Sequence, residues 1–178
     1  MKSVTVYFAA LALGLALVAC DEDPEGTALT QQSAISECGG FADPGNGLPV
    51  QDPTTYCDAE LLHWAYGSGS LALANTRISL NCCGEHGMSV ELVDGVYVVH
   101  ERDEPGPGGY RCRCMCAFDY TLEANGIPEG VISMRLEREV TDSGAGTELI
   151  WEGELDLAEG SGTITIDSSP LEFGCYDL

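Results

Sequence analysis

The sequence predicts an all-β fold, an antiparallel β-sandwich of immunoglobulin-like layout held together by disulfides. Three observations point there. Apolar residues recur at a period of two in short runs, as in Ile78, Leu80, Cys82. Clusters of Gly, Pro, Asn and Asp punctuate those runs with no convincing helix between them. The 178 residues include 9 cysteines, more than an ordinary cytosolic chain carries without a metal or catalytic reason.

The N-terminus comes first. Lys2 precedes an apolar run from Val4 to Val18, shorter than the ~20 residues that cross a bilayer as a helix. With small residues before Cys20, the pattern predicts a signal helix over 1–19 that is removed on export. Leu17-Val18-Ala19-Cys20 resembles the bacterial lipoprotein box. The resemblance implies lipid attachment at Cys20, with several acyl chains anchoring the chain to a membrane where one chain alone binds marginally. Asp21-Glu22-Asp23-Pro24-Glu25-Gly26-Thr27 lacks hydrophobic periodicity, and residues 20–34 read as a disordered acidic tether. Whether the anchor sits in an inner or an outer membrane stays open.

Charge narrows the partners. There are 29 acidic residues against 7 basic ones, a formal net charge of −22. Removal of residues 1–19 takes away Lys2, the one lysine, leaving six arginines. Such a surface excludes nucleic acid, whose phosphates need clustered cations. It also suits an anionic lipid surface poorly. The acids lack the spacing of a calcium loop, so they read as a solvated, self-repelling surface.

Residues 35–60 form a loop-rich cysteine segment, with Asp43-Pro44-Gly45-Asn46-Gly47 as a turn cluster between Cys38 and Cys57. The sandwich occupies 61–178. Leu61–Tyr66 is a short strand or one turn of helix, and Gly67-Ser68-Gly69-Ser70 turns the chain into the run from Leu71 to Cys82. Val90 and Leu92, then Asp94-Gly95, then Val96 and Val98 form a hairpin signal, because Asp-Gly accepts positive φ. Glu101–Gly109 reads as a charged loop. Tyr110–Leu122 alternates as a strand. Asn125-Gly126 and Pro128-Glu129-Gly130 lead to Ile132, Met134, Leu136. Ser143–Gly146 then precedes Leu149–Leu157, and Glu159–Gly162 precedes Thr163–Ile166.

Five cysteines cluster in Asn81-Cys82-Cys83 and Cys112-Arg113-Cys114-Met115-Cys116. Alternation puts Tyr110, Cys112, Cys114, Cys116, Phe118 and Tyr120 on one face, toward the core, and Arg111, Arg113 and Asp119 on the other. Cys82 is expected inside as well, with Cys82 or Cys83 meeting the Cys112–Cys116 strand. Residues two apart on a strand lie about 6.6 Å apart, too far for Cys112, Cys114 and Cys116 to pair with one another. With Cys20 lipidated, eight cysteines remain: Cys38, Cys57, Cys82, Cys83, Cys112, Cys114, Cys116 and Cys175. Five in the cluster is odd, so full oxidation requires at least one of them to bond Cys38, Cys57 or Cys175. The alternative is a thiolate site for zinc or copper, built from Cys82, Cys83, Cys112, Cys114 and Cys116 with His86. A redox-active exchange site is a third use of the same sulfurs.

No nucleophile elbow, phosphate loop, dinucleotide fingerprint or His-Glu-x-x-His helix is present, so no catalytic residues are assigned and the chain reads as a non-enzyme without a cofactor. His63, His86 and His100 are isolated in sequence. Trp64, Tyr66 and Trp151 suit core packing better than a sugar-binding face. The pattern NCC…CRCMCAFDY, followed by a Gly-x-Pro-x-Gly turn, resembles a group of bacterial lipoproteins of unassigned activity with a small β-sandwich. The resemblance covers about 61–140 and implies an envelope location and a compact β domain, with no activity attached. The expectation is a lipid-anchored structural or binding module of the cell envelope, outside the cytoplasm.

Overall fold

A computed structural model describes residues 29–171 of the protein. The expected signal helix, Cys20 as the expected lipid-attachment residue, most of the expected tether and Cys175 lie outside the described residues. Among the described residues nine strands form: β1 (Thr30–Ile35), β2 (Glu60–Gly67), β3 (Ser70–Asn81), β4 (Gly84–Val93), β5 (Val96–Pro105), β6 (Met115–Asn125), β7 (Val131–Val140), β8 (Thr147–Asp156) and β9 (Ser161–Asp167). One turn of 3-10 helix, Leu157–Glu159, links the last two. Among the described residues no helix is long and apolar enough to cross a membrane.

The strands make two sheets. One has the order β1-β6-β3-β2-β9 and the other β4-β5-β7-β8. Their facing sides share one core, where Leu62, Trp64, Leu73 and Tyr120 of the first meet Val90, Val99, Met134 and Leu136 of the second. The expected Asp94-Gly95 hairpin forms, and the expected turn at 67–70 closes a second two-residue hairpin. Ser68 (φ 54°) and Gly69 (φ 78°) join β2 to β3, and Asp94 (φ 51°) and Gly95 (φ 83°) join β4 to β5. Two successive positive φ values match the right-handed strand twist, which is why small or Asx residues stand there.

The structure corrects the expected pairing in one sheet. β5 and β7 run parallel, whereas every other pair is antiparallel. The cause is the path of the chain. β5 leaves its sheet, β6 returns through the opposite layer, and β7 re-enters beside β5 in the same direction. Regular turn spacing is blind to such a change of layer.

Three element assignments also change. Residues 30–34, expected in the tether, pair with β6 as an edge strand. Glu101–Pro105, expected in a loop, completes β5 against β4. Tyr110–Cys114 is irregular and the strand starts at Met115, so Tyr110 lies 76% exposed rather than inside. Leu61–Tyr66 resolves as strand.

Residues 36–59 cross the outer side of the first sheet as a strap. Leu48 packs on Ala72 and Ala74, and Tyr56 packs on Ala117. The middle of that sheet is therefore covered on both faces, and β3 and β6 are buried almost continuously instead of alternately.

Candidate functional site: the disulfide-braced end

The two ends of the sandwich differ. Thr30 pairs with Asn125 at one end. Asn81 pairs with Met115 and Gly84 with Pro105 at the other. This second end, farthest from the entry of the chain, gathers the cysteine cluster. β3 turns into β4 through Cys82 and Cys83, and the 106–114 loop lies beside that turn. Cys82 bonds Cys114 (Cα–Cα 5.7 Å), and Cys83 bonds Cys112 (Cα–Cα 5.4 Å). Two neighbouring residues on one side thus grip residues two apart on the other.

Asn81 completes the brace. Its Nδ2 donates to the carbonyl oxygens of Cys112 (2.7 Å) and Cys114 (3.1 Å). Its Oδ1 accepts from the backbone N–H groups of Cys112 (3.0 Å) and Cys83 (3.1 Å). The Cys82 N–H adds a bond to the Cys114 carbonyl at 3.3 Å. Arg113, between the two bridged cysteines, points its side chain to solvent.

Beneath this loop the facing sides of the sheets turn from apolar to charged. The inward residues of β5 run Tyr97, Val99, Glu101, Asp103, all buried. Asp103 lies 3.1 Å from His86 Nδ1 and 2.5 Å from Arg111 Nη1, and Arg111 also holds Asp142. The His86 ring packs on Phe118 with centroids 4.8 Å apart. Deeper in, Arg138 donates to Glu101 (2.7 Å) and Glu60 (2.6 Å), and Asn75 bonds both carboxylates. Burial pushes the Glu101 carboxyl above the usual range, against the pull of Arg138.

A third polar group lies under the strap. Asp119 is fully buried and accepts from the backbone N–H of Phe41 (2.9 Å) and of Arg77 (3.0 Å), from Tyr56 Oη (2.9 Å), and from Gln51 Nε2. The Arg77 N–H is aimed there by a one-residue bulge between Asn75 and Ile78, where Arg77 takes φ 66°. Burial raises the Asp119 carboxyl above its ordinary value, with the donors opposing.

The candidate cysteines fall as follows. Cys38 bonds Cys116, which supplies the expected link from the cluster to a distant partner. Cys112, Cys114, Cys82 and Cys83 pair as above, and Cys57 is also disulfide-bonded. Cys20 and Cys175 lie outside the described residues. Two corrections apply. Cys82 and Cys114 are exposed rather than inside, because the strand begins only at Met115 and β3 ends at Asn81. Asp119, expected on an outward face, is buried because the strap covers that face.

The metal alternative loses its ligands to these pairs. Cys82, Cys83, Cys112, Cys114 and Cys116 are all bridged, and His86 lies against Asp103 and Phe118. Among the described residues no group of three or more His, Cys, Asp or Glu is arranged to hold a metal. His63 bonds Thr163 and His100 lies between Glu91 and Glu137. Trp64, Tyr66 and Trp151 pack on the core. Sequence reasoning missed Asn81, Asp103 and Arg138. Alternation through Tyr97, Val99, Glu101 and Asp103 was the available signal for the inward acids. No family model, curated protein or solved structure matches the chain.

Proposed function

We propose that the chain is a lipid-anchored, non-enzymatic module of a bacterial cell envelope, with Cys20 acylated and residues 21–28 as a tether. The described body is then an immunoglobulin-like binding or structural domain held outside the cytoplasm, although β5 and β7 run parallel. The observation that carries this reading is the state of the sulfurs. Three disulfides join six cysteines and Cys57 is bridged too, which supports an oxidising compartment. The lipobox-like residues before Cys20 and the entry of the chain at Thr30, opposite the disulfide end, support an anchored domain that presents that end outward.

The test is intact mass and peptide mapping of protein from the membrane fraction. The expected result is a chain starting at Cys20 with acyl mass added, no free thiols, and bridges 38–116, 82–114 and 83–112. Parity then assigns Cys57 to Cys175. An unmodified Cys20 or a reduced cluster overturns the reading.

A further inference from the structure

We propose that Cys112-Arg113-Cys114 is a protease-binding loop, which inserts Arg113 into the carboxylate-floored specificity pocket of a trypsin-like serine protease and inhibits it. This deepens the binding-module reading and rests on it. The first observation is the isolation of Arg113. Among the described arginines, 77, 102, 111, 135 and 138 each hold an acidic partner, whereas Arg113 is exposed and makes no hydrogen bond or ion pair. In a chain with 29 acidic residues, an unpaired guanidinium is available to a carboxylate on a partner.

The second observation is the brace on both sides of that residue. Binding a loop in an extended enzyme cleft costs little when the loop is already fixed. Here the residues before and after Arg113 are each bridged to the β3–β4 turn. The Asn81 amide spans the two carbonyls that flank the Arg113 residue, at 2.7 and 3.1 Å. Tyr110 and Met115, 76% and 52% exposed, add apolar surface beside it.

The same brace separates an inhibitor from a substrate. The protease serine hydroxyl adds to the Arg113 carbonyl carbon, and the bond to the Cys114 nitrogen breaks. The serine proton passes through the catalytic histidine to that nitrogen. In an ordinary substrate the freed amine diffuses away and water cleaves the ester. Cys114 stays tied to Cys82, and its carbonyl stays bonded to Asn81 and to the Cys82 N–H. The amine is therefore held at high effective concentration and re-forms the peptide, returning the proton to serine.

The probe is trypsin, with chymotrypsin as comparator, titrated with the disulfide-intact protein in detergent solution. Competitive inhibition of trypsin alone is expected. Arg113→Ala should weaken it about 100-fold, and Arg113→Phe should transfer it to chymotrypsin. Neither change touches a packed side chain, and an unchanged melting curve checks the fold. Asn81→Ala should be cut after Arg113 faster than the parent. Uninhibited trypsin, equal inhibition by Arg113→Ala, or parent cleavage as fast as that of Asn81→Ala overturns the proposal. The assay does not require the anchor. Unacylated Cys20 with inhibition intact removes the envelope reading alone, and acylated Cys20 without inhibition removes the loop alone.

Discussion

Arg138 shows what one side chain decides in this core. It reaches from β7 to carboxylates on β2 and β5, and Glu101 is 1% exposed, so two acids are kept between the sheets by one guanidinium. Removing the cation leaves both acids uncompensated. Arg138→Ala should lower stability by about 3–5 kcal/mol, read from the urea midpoint, and adding Glu101→Gln should recover part of the loss. Little of this was legible beforehand. With 29 acids and few cations, no single pair stands out by spacing. The period-two run through Tyr97, Val99, Glu101 and Asp103 did carry the information, but a cluster of charges followed by Pro105 and Gly106 resembles a loop more than the inner row of a strand.

Among the elements, the strap depends most on a single group. Residues 36–59 contain no strand, and they are held by the Cys38–Cys116 bridge, by Leu48 and Tyr56, and by three strap donors, Phe41, Gln51 and Tyr56, that converge on Asp119 together with the Arg77 N–H of β3. Asp119→Ala leaves those donors without an acceptor. The expected outcome is a loss of at least about 3 kcal/mol. Limited proteolysis within 40–55 should quicken before the sheets melt, with the strap still tethered at Cys38. Asp119→Asn, which keeps the shape and one acceptor, should fall between. Arg77 shares this dependence, since its left-handed backbone costs about 1–2 kcal/mol and is offset by the bond to Asp119. The turn cluster around Pro44 was legible as irregular chain. Its docking was not, because a carboxylate's partner on a distant segment leaves no local mark.

Over the whole molecule, proton linkage should set the stability profile. Burial raises the proton affinity of Glu101 and Asp119, so the folded state holds those protons more tightly than the unfolded chain. Their charged forms are the costly ones, and stability should rise as pH falls from neutrality toward the ordinary carboxylate range. Lower pH also relieves the repulsion of a −22 chain. The exposed Asp142, held low by Arg111, and Asp52 and Asp167, held low by hydrogen bonds to Thr54 and Ser169, act in the opposite sense at stronger acid. The melting temperature should therefore rise as the pH is lowered from 7 toward the ordinary carboxylate value of about 4. A melting temperature that falls steadily from pH 7 downward would contradict this assignment of the buried carboxyls.

By itself the sequence determined the all-β class, the Asp94-Gly95 hairpin and the turn at 67–70, and a cysteine cluster that had to bond outside itself. These follow from local rules: side chains alternate at every residue, an Asp-Gly turn needs positive φ, and five sulfurs cannot pair among themselves. Only the tertiary structure decided that β7 runs parallel to β5, that the strap buries Asp119, and that Asn81 and two bridges clasp Arg113. Each depends on which layer the chain enters next. Segments far apart in sequence set that choice together, by burying a shared surface, and no short window of residues records it.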